Sequence, residues 1–191
     1  MNLDAMIEAV AEQAIWPGLL KSKYGDRHWR RTFKLAEMIM EQAGGHNGIV
    51  GYAALCHDIG RVSDLQDANH GFRGASIAMR IAAQSYATMP MPQNQFNGTM
   101  VILGKIEDIV SRHCLDHEPD YLEMQIVHDA NILDRVRFDG VASINPEMFA
   151  LPDVSIPLIA AAMELLESEP APELGTVIQV PNKIIIPKGR M

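Results

Sequence analysis

The sequence predicts an all-α fold, a compact helical bundle in one domain, and three observations carry that expectation. Apolar residues recur at three- and four-residue intervals in most segments, the period of an amphipathic helix. These segments are separated by short breaks rich in Gly, Pro and Asn. No internal repeat, low-complexity tract or long linker divides the 191 residues, of which 48% are apolar, enough for one buried core. The expectation is therefore one domain over 1–191, with its chemistry-bearing part at about 24–138 and a C-terminal helix and tail over 150–191.

The elements follow in order. Leu3, Met6, Ile7, Val10 and Ala14 mark a first helix from Leu3 to Ile15, ended by Trp16-Pro17-Gly18. A second begins after Gly25 with Asp26 as its N-cap and carries Trp29, Phe33, Ala36 and Met40 to the Gly44-Gly45 stop. The third, from about Asn47 to Ile59, is apolar nearly all round and belongs in the middle of the bundle. RVSDLQDAN reads as a loop feeding a fourth helix from His70 to about Ala87. After MPMPQNQFNG come a fifth from Thr99 to His113, a sixth from Tyr121 to about Val136, and a seventh from about Ile156 to Glu167. The tail TVIQVPNKIIIP alternates weakly around Pro181-Asn182, the pattern of a short hairpin or an extended arm.

A formal net charge of -8 leaves no broad cationic surface for nucleic-acid phosphates or anionic lipid, so duplex binding and membrane association are not expected. A small positive pocket for a polyanionic substrate is compatible with that charge. Two cysteines, Cys56 and Cys114, make no disulfide framework, and MNLDAMIEAVAEQ has neither the basic region nor the apolar run of a signal peptide. No apolar stretch approaches the ~20 residues of a membrane span. A cytoplasmic location is expected by default.

The residues that point to chemistry are His57 and Asp58, set in the most apolar segment of the chain. A carboxylate buried there needs a partner, either an arginine or loop group or a metal. His28, His70, His113 and the run Asp129-Ala130-Asn131 lie on other expected helices. Imidazole and carboxylate groups converging from separate helices are how bundles build metal sites in their interiors. Arg61, three residues after Asp58, faces the same pocket as a phosphate receptor, and Arg73 is a second candidate. His70 opens a helix whose N–H groups favour an anion. Cys56 and Cys114, each next to a site residue, read as core packing.

In order along the chain, YGDRHWRR, ALCHDIGRVSD, NHGFRGASIA, SRHC and HDANILDRVRF cover Tyr24 to Phe138. This series resembles a small bacterial subgroup of the HD-domain superfamily of metal-dependent phosphohydrolases, whose skeleton is a His, then His-Asp, then a distal Asp. Nothing after about Met148 matches. The resemblance implies His28, His57 and Asp58 as metal ligands and places the closing ligand in DANILD. There the subgroup has DAD, its second Asp on the metal, and this chain has Asn131, which offers a neutral amide oxygen instead.

It further implies hydrolysis of a phosphate ester, a nucleotide or other small phosphorylated metabolite. Asp58 would serve beside the attacking water, His70 or His113 in proton transfer, and Arg61 in balancing phosphate charge. Imidazole-rich ligation suits Mn²⁺, Fe²⁺, Co²⁺, Ni²⁺ or Zn²⁺ better than Mg²⁺. Two other readings stand beside this one. A non-catalytic metal- or ligand-binding module draws on Asn131, and a di-iron oxygenase draws on His70 and His113 as a second site. A homodimer is compatible with the sequence.

Overall fold

The computed structural model describes residues 3–88, 96–115 and 118–168. Among them, helices α1 (Leu3–Glu12), α2 (Asp26–Ala43), α3 (Asn47–Cys56), α4 (His70–Ala87), α5 (Phe96–Arg112) and α6 (Leu122–Leu133) are followed by two single turns, α7 (Val136–Asp139) and α8 (Pro152–Ser155), and by α9 (Ile159–Ser168). No strand occurs among the described residues, and the fold is all-α. The tail read as a hairpin or arm lies outside them. No helix of the described residues is long and apolar enough to cross a membrane.

Helix α3 sits at the centre because nothing on it needs water. Every residue from Ile49 to Cys56 is buried, as its apolar sequence demands. Helices α2, α4, α5 and α6 pack around it, with α4 against α5 and α2 against α6. The imidazole of His46 caps its start, Nδ1 accepting the Ile49 N–H at 3.3 Å. This gives a structural role to a histidine that the sequence left unassigned.

Several boundaries differ from expectation: α1 ends at Glu12 rather than Ile15, α5 runs Phe96–Arg112 rather than Thr99 to His113, α9 begins at Ile159, and others have a local reason. Asp26 is the first residue of α2 rather than its N-cap. Gly25 takes the cap position and its carbonyl accepts the Trp29 N–H, while a Cβ on Gly25 would lie 2.0 Å from the Leu19 carbonyl oxygen. Asp26 is left to bind Arg30 Nε at 2.7 Å. Helix α6 stops at Leu133, and the chain turns at Asp134 before α7. The stretch from Gly140 to Leu158, passed over in the sequence, is a chain of single turns (Gly140–Ser143, Pro146–Met148, α8, Ile156–Leu158). Asp129 fastens it, accepting the N–H groups of Ala150 at 2.8 Å and Leu151 at 2.9 Å and the Ser155 hydroxyl at 2.7 Å.

The difference that matters most is at the end of α3. The helix ends at Cys56, and tight turns carry His57 to Gly60, with Ile59 N–H bonded to Cys56 O and Arg61 N–H to Asp58 O, each at 3.0 Å. Gly60 lies against the first turns of α4, where a Cβ would stand 2.0 Å from the His70 carbonyl oxygen and 2.4 Å from the Gly74 nitrogen. Only glycine permits that approach. Gly60→Ala is expected to push α4 away from the turn and cost about 2–3 kcal/mol in chemical denaturation. A variant as stable as the wild type would show that the contact does not hold the turn.

Candidate metal centre

The turn after α3 does what a continuous helix could not, since neighbouring residues on a helix point about 100° apart. Here His57 Nε2 and Asp58 Oδ2 converge to 3.5 Å, and His28 arrives from α2 with its Nε2 at 2.8 Å from His57 Nε2 and 3.2 Å from Asp58 Oδ2. His28, His57 and Asp58 are all buried. On the other side of the same carboxylate, His70 Nε2 from α4 lies 2.9 Å from Asp58 Oδ1 and His113 Nε2, just past α5, lies at 3.8 Å. The two rings face each other with Nε2 atoms 2.8 Å apart. Cys114 joins them as a third donor within metal-binding range.

The tautomers of these rings follow from their outer hydrogen bonds. His57 Nδ1 faces the Ala54 carbonyl and His113 Nδ1 the Val110 carbonyl, each at 2.8 Å, and His70 Nδ1 faces the Asp67 carbonyl. A carbonyl only accepts, so each Nδ1 donates its hydrogen. His28 Nδ1 donates in the same way to Asp134 Oδ2 at 2.6 Å. In the neutral rings, all four Nε2 atoms therefore carry bare lone pairs. Burial pushes His57 and His113 below the ordinary imidazole range, favouring that neutral form. Burial would raise Asp58, and positive charge or donated hydrogens on His57, His113, His28 and His70 lower it well below the usual carboxylate range, so the carboxylate is ionised wherever positive charge gathers among these rings.

Lone pairs facing one another beside an ionised carboxylate repel unless a cation lies among them. The donor set of His28, His57 and Asp58 thus fits a divalent metal, and so does that of His70, His113 and Cys114. Asp58 presents one oxygen to each group.

Behind His28 stands Asp134, which the sequence motif contained but to which no role was given. Its buried carboxylate holds the His28 ring and also takes Arg31 and Arg137. This is the outer carboxylate that fixes a ligand imidazole's orientation. Asn131, three residues earlier, is half-buried, and its amide makes no hydrogen bond among the described residues.

Several expectations are redirected. Arg61 does reach the pocket, with Nε on Asp58 Oδ1 at 2.7 Å. Arg73, the second candidate, is engaged with the loop: its Nε binds the Gly60 carbonyl at 3.1 Å and its Nη2 binds Asp67. Cys56 is core packing, its thiol pushed up to about 12 by burial. Cys114, also read as packing, lies beside the two histidines with its thiol toward the Ala68 carbonyl at 3.4 Å.

Asp134 carries a test. Burial alone would raise its carboxyl, but the His28 hydrogen bond and the charges around it lower it from 3.8 to about 2. Its contribution to stability is full above pH 3.8 and is lost as pH falls toward about 2. Asp134→Asn should destabilise the protein by about 3–5 kcal/mol at neutral pH, because Arg31 and Arg137 lose a buried countercharge, and should flatten that acid dependence. Denaturation curves at several pH values measure both effects, and unchanged stability in the variant would remove Asp134 from this role.

Comparison with protein families matches residues 25–136 to the HD domain. No curated protein and no solved structure matches the chain significantly. The family match covers more than half of the 191 residues and spans His28, the turn holding His57 and Asp58, His70, His113 and Asp134. Imidazoles from α2, the turn after α3, α4 and the end of α5 thus meet the one buried carboxylate of Asp58 within the matched region, and this chain belongs to the HD-domain family.

Proposed function

We propose that the protein is a metal-dependent phosphohydrolase acting on a small phosphorylated substrate. The observation that carries this reading is the convergence of four imidazole Nε2 atoms on the single carboxylate of Asp58. His28, His57 and Asp58 would hold the metal, with Asn131 as the fourth protein donor through its amide oxygen. A divalent cation in such a site supplies Lewis acidity toward a phosphoryl oxygen and makes water a stronger acid. Imidazole-rich donors favour Mn²⁺, Fe²⁺, Co²⁺, Ni²⁺ or Zn²⁺.

The chain's own groups do the rest. Asp58, ionised, would orient the attacking water and supply the negative charge that a bound cation needs beside it. Arg61 lies against Asp58 and offers its remaining guanidinium N–H groups to a phosphate oxygen. His70 and His113 are placed to relay a proton to the leaving oxygen. The facing Nε2 atoms of that pair, 2.8 Å apart, also favour a second version of the same reading, in which His70, His113 and Cys114 would hold a second cation.

Elemental analysis of the purified protein followed by a screen of phosphorylated metabolites with several divalent metals tests the proposal. Asp58→Ala is expected to abolish hydrolysis while the helical circular dichroism persists. Full activity in a folded Asp58→Ala variant would falsify the role of Asp58.

Asn131 is tested separately by metal titration. Asn131→Asp, which adds a charged oxygen donor at nearly the same volume, is expected to tighten binding, and Asn131→Leu to loosen it. Equal affinities in all three proteins would take Asn131 out of the site and move the balance toward a non-catalytic metal-binding module.

A further inference from the structure

Three cations surround one aromatic ring at the edge of this site. The Arg61 guanidinium carbon lies 3.5 Å from the centroid of Tyr24, Lys23 Nζ at 5.1 Å and the Arg137 guanidinium carbon at 5.7 Å. They come from different parts of the chain: Lys23 precedes α2, Arg61 follows the His57-Asp58 turn, and Arg137 is on α7. Tyr24 in turn stands edge-on to His28, with ring centroids 6.2 Å apart.

Their charges are incompletely matched. Arg61 pairs with Asp58 and Arg137 with Asp134, but Asp134 is already shared with His28 and Arg31. Lys23 makes no ion pair among the described residues; its ammonium rests over the rings of Tyr24 and Phe138. Three cations therefore face two carboxylates, one of them, Asp134, divided among three groups.

Arg137 is the most telling of the three. Its side chain is 4% exposed, and Nη1 is spent on the Asp134 carbonyl at 2.9 Å and on that residue's carboxylate. Its Nε is buried with no hydrogen-bond partner. Leaving a charged donor buried and unpaired costs more than leaving a neutral one so. Burial lowers the Arg137 pKa, while the charges of Asp134 and Asp58 raise it.

We propose that Arg137, Lys23 and Arg61 form an anion seat around Tyr24, next to Asp58, that takes the dianionic phosphate group of a phosphate monoester. The inference rests on the phosphate-ester reading of the site and narrows it. A guanidinium with a free Nε matches phosphate oxygens in geometry as well as charge. A phosphate monoester carries close to two negative charges at neutral pH, enough to answer the unmatched cations. A diester carries one.

Inorganic phosphate and dimethyl phosphate, titrated calorimetrically into the metal-loaded protein and into its chelator-treated form, test the seat. Phosphate is expected to bind both forms, and dimethyl phosphate to bind each about tenfold more weakly or less. Lys23→Gln removes a cation that holds no other residue by an ion pair and should weaken phosphate binding severalfold in both forms. Arg137→Gln should weaken it about tenfold or more.

Because Arg137 also holds Asp134, Arg137→Lys serves if the glutamine variant does not fold, and it should lose affinity despite keeping the charge. Phosphate affinity unchanged in Lys23→Gln and in the folded Arg137 variant, or dimethyl phosphate bound as tightly as phosphate, overturns the proposal. Phosphate bound through these residues by a protein without any phosphatase activity would uphold the seat and defeat the hydrolase reading. Hydrolysis that is indifferent to both cations would do the reverse.

Discussion

A buried, ionised Asp58 with bare imidazole nitrogens on either side is the constraint around which the rest of the molecule is arranged. An isolated carboxylate in a protein interior is costly, and four neutral imidazoles with lone pairs turned inward do not remove that cost by themselves. The arrangement is stable only because each ring is held from behind. Three rings are anchored to carbonyls of their own or adjacent turns and the fourth to Asp134. The outer faces are thereby committed to the protein, and the inner faces are left as a donor set that could hold a cation.

That commitment explains features of the fold that packing alone would not. Helix α3 is apolar throughout because it is enclosed by four others, but it ends at Cys56, just where the chemistry starts. Opening the helix there lets adjacent residues, His57 and Asp58, aim at one point. Gly60 then allows α4 to approach so closely that His70, its first residue, reaches the opposite oxygen of the same carboxylate. The site is made by the end of one helix meeting the start of another, with no side chain between them.

A second layer of charge surrounds the first. Asp134 steadies His28 and at the same time gathers Arg31 and Arg137, while Arg61 leans on Asp58 and covers Tyr24. A chain with a net charge of -8 thus places a concentrated group of cations beside its candidate metal centre. Global charge and local potential have opposite signs here. An anionic substrate would be repelled by most of the surface and attracted only at the pocket.

The sequence by itself determined the helical fold class, the order of the main helices and the buried position of α3, because these follow from the local period of apolar residues and from where glycine and proline interrupt it. His57 and Asp58 stood out by lying in the most apolar segment, and His28, His70 and His113 by their place in the ordered series of motifs that resembles the HD domain. Only the tertiary structure decided how they are used. The two donor groups on either side of Asp58, the role of Asp134 and the involvement of Arg137 depend on contacts between distant parts of the chain; Arg31 and Asp134 are 103 residues apart. Arg73, the second candidate beside Arg61, is occupied by the Gly60 carbonyl and Asp67. Periodicity records which face of a helix is buried, but the partner that a buried charge finds is set by the close approach of elements the local pattern does not relate.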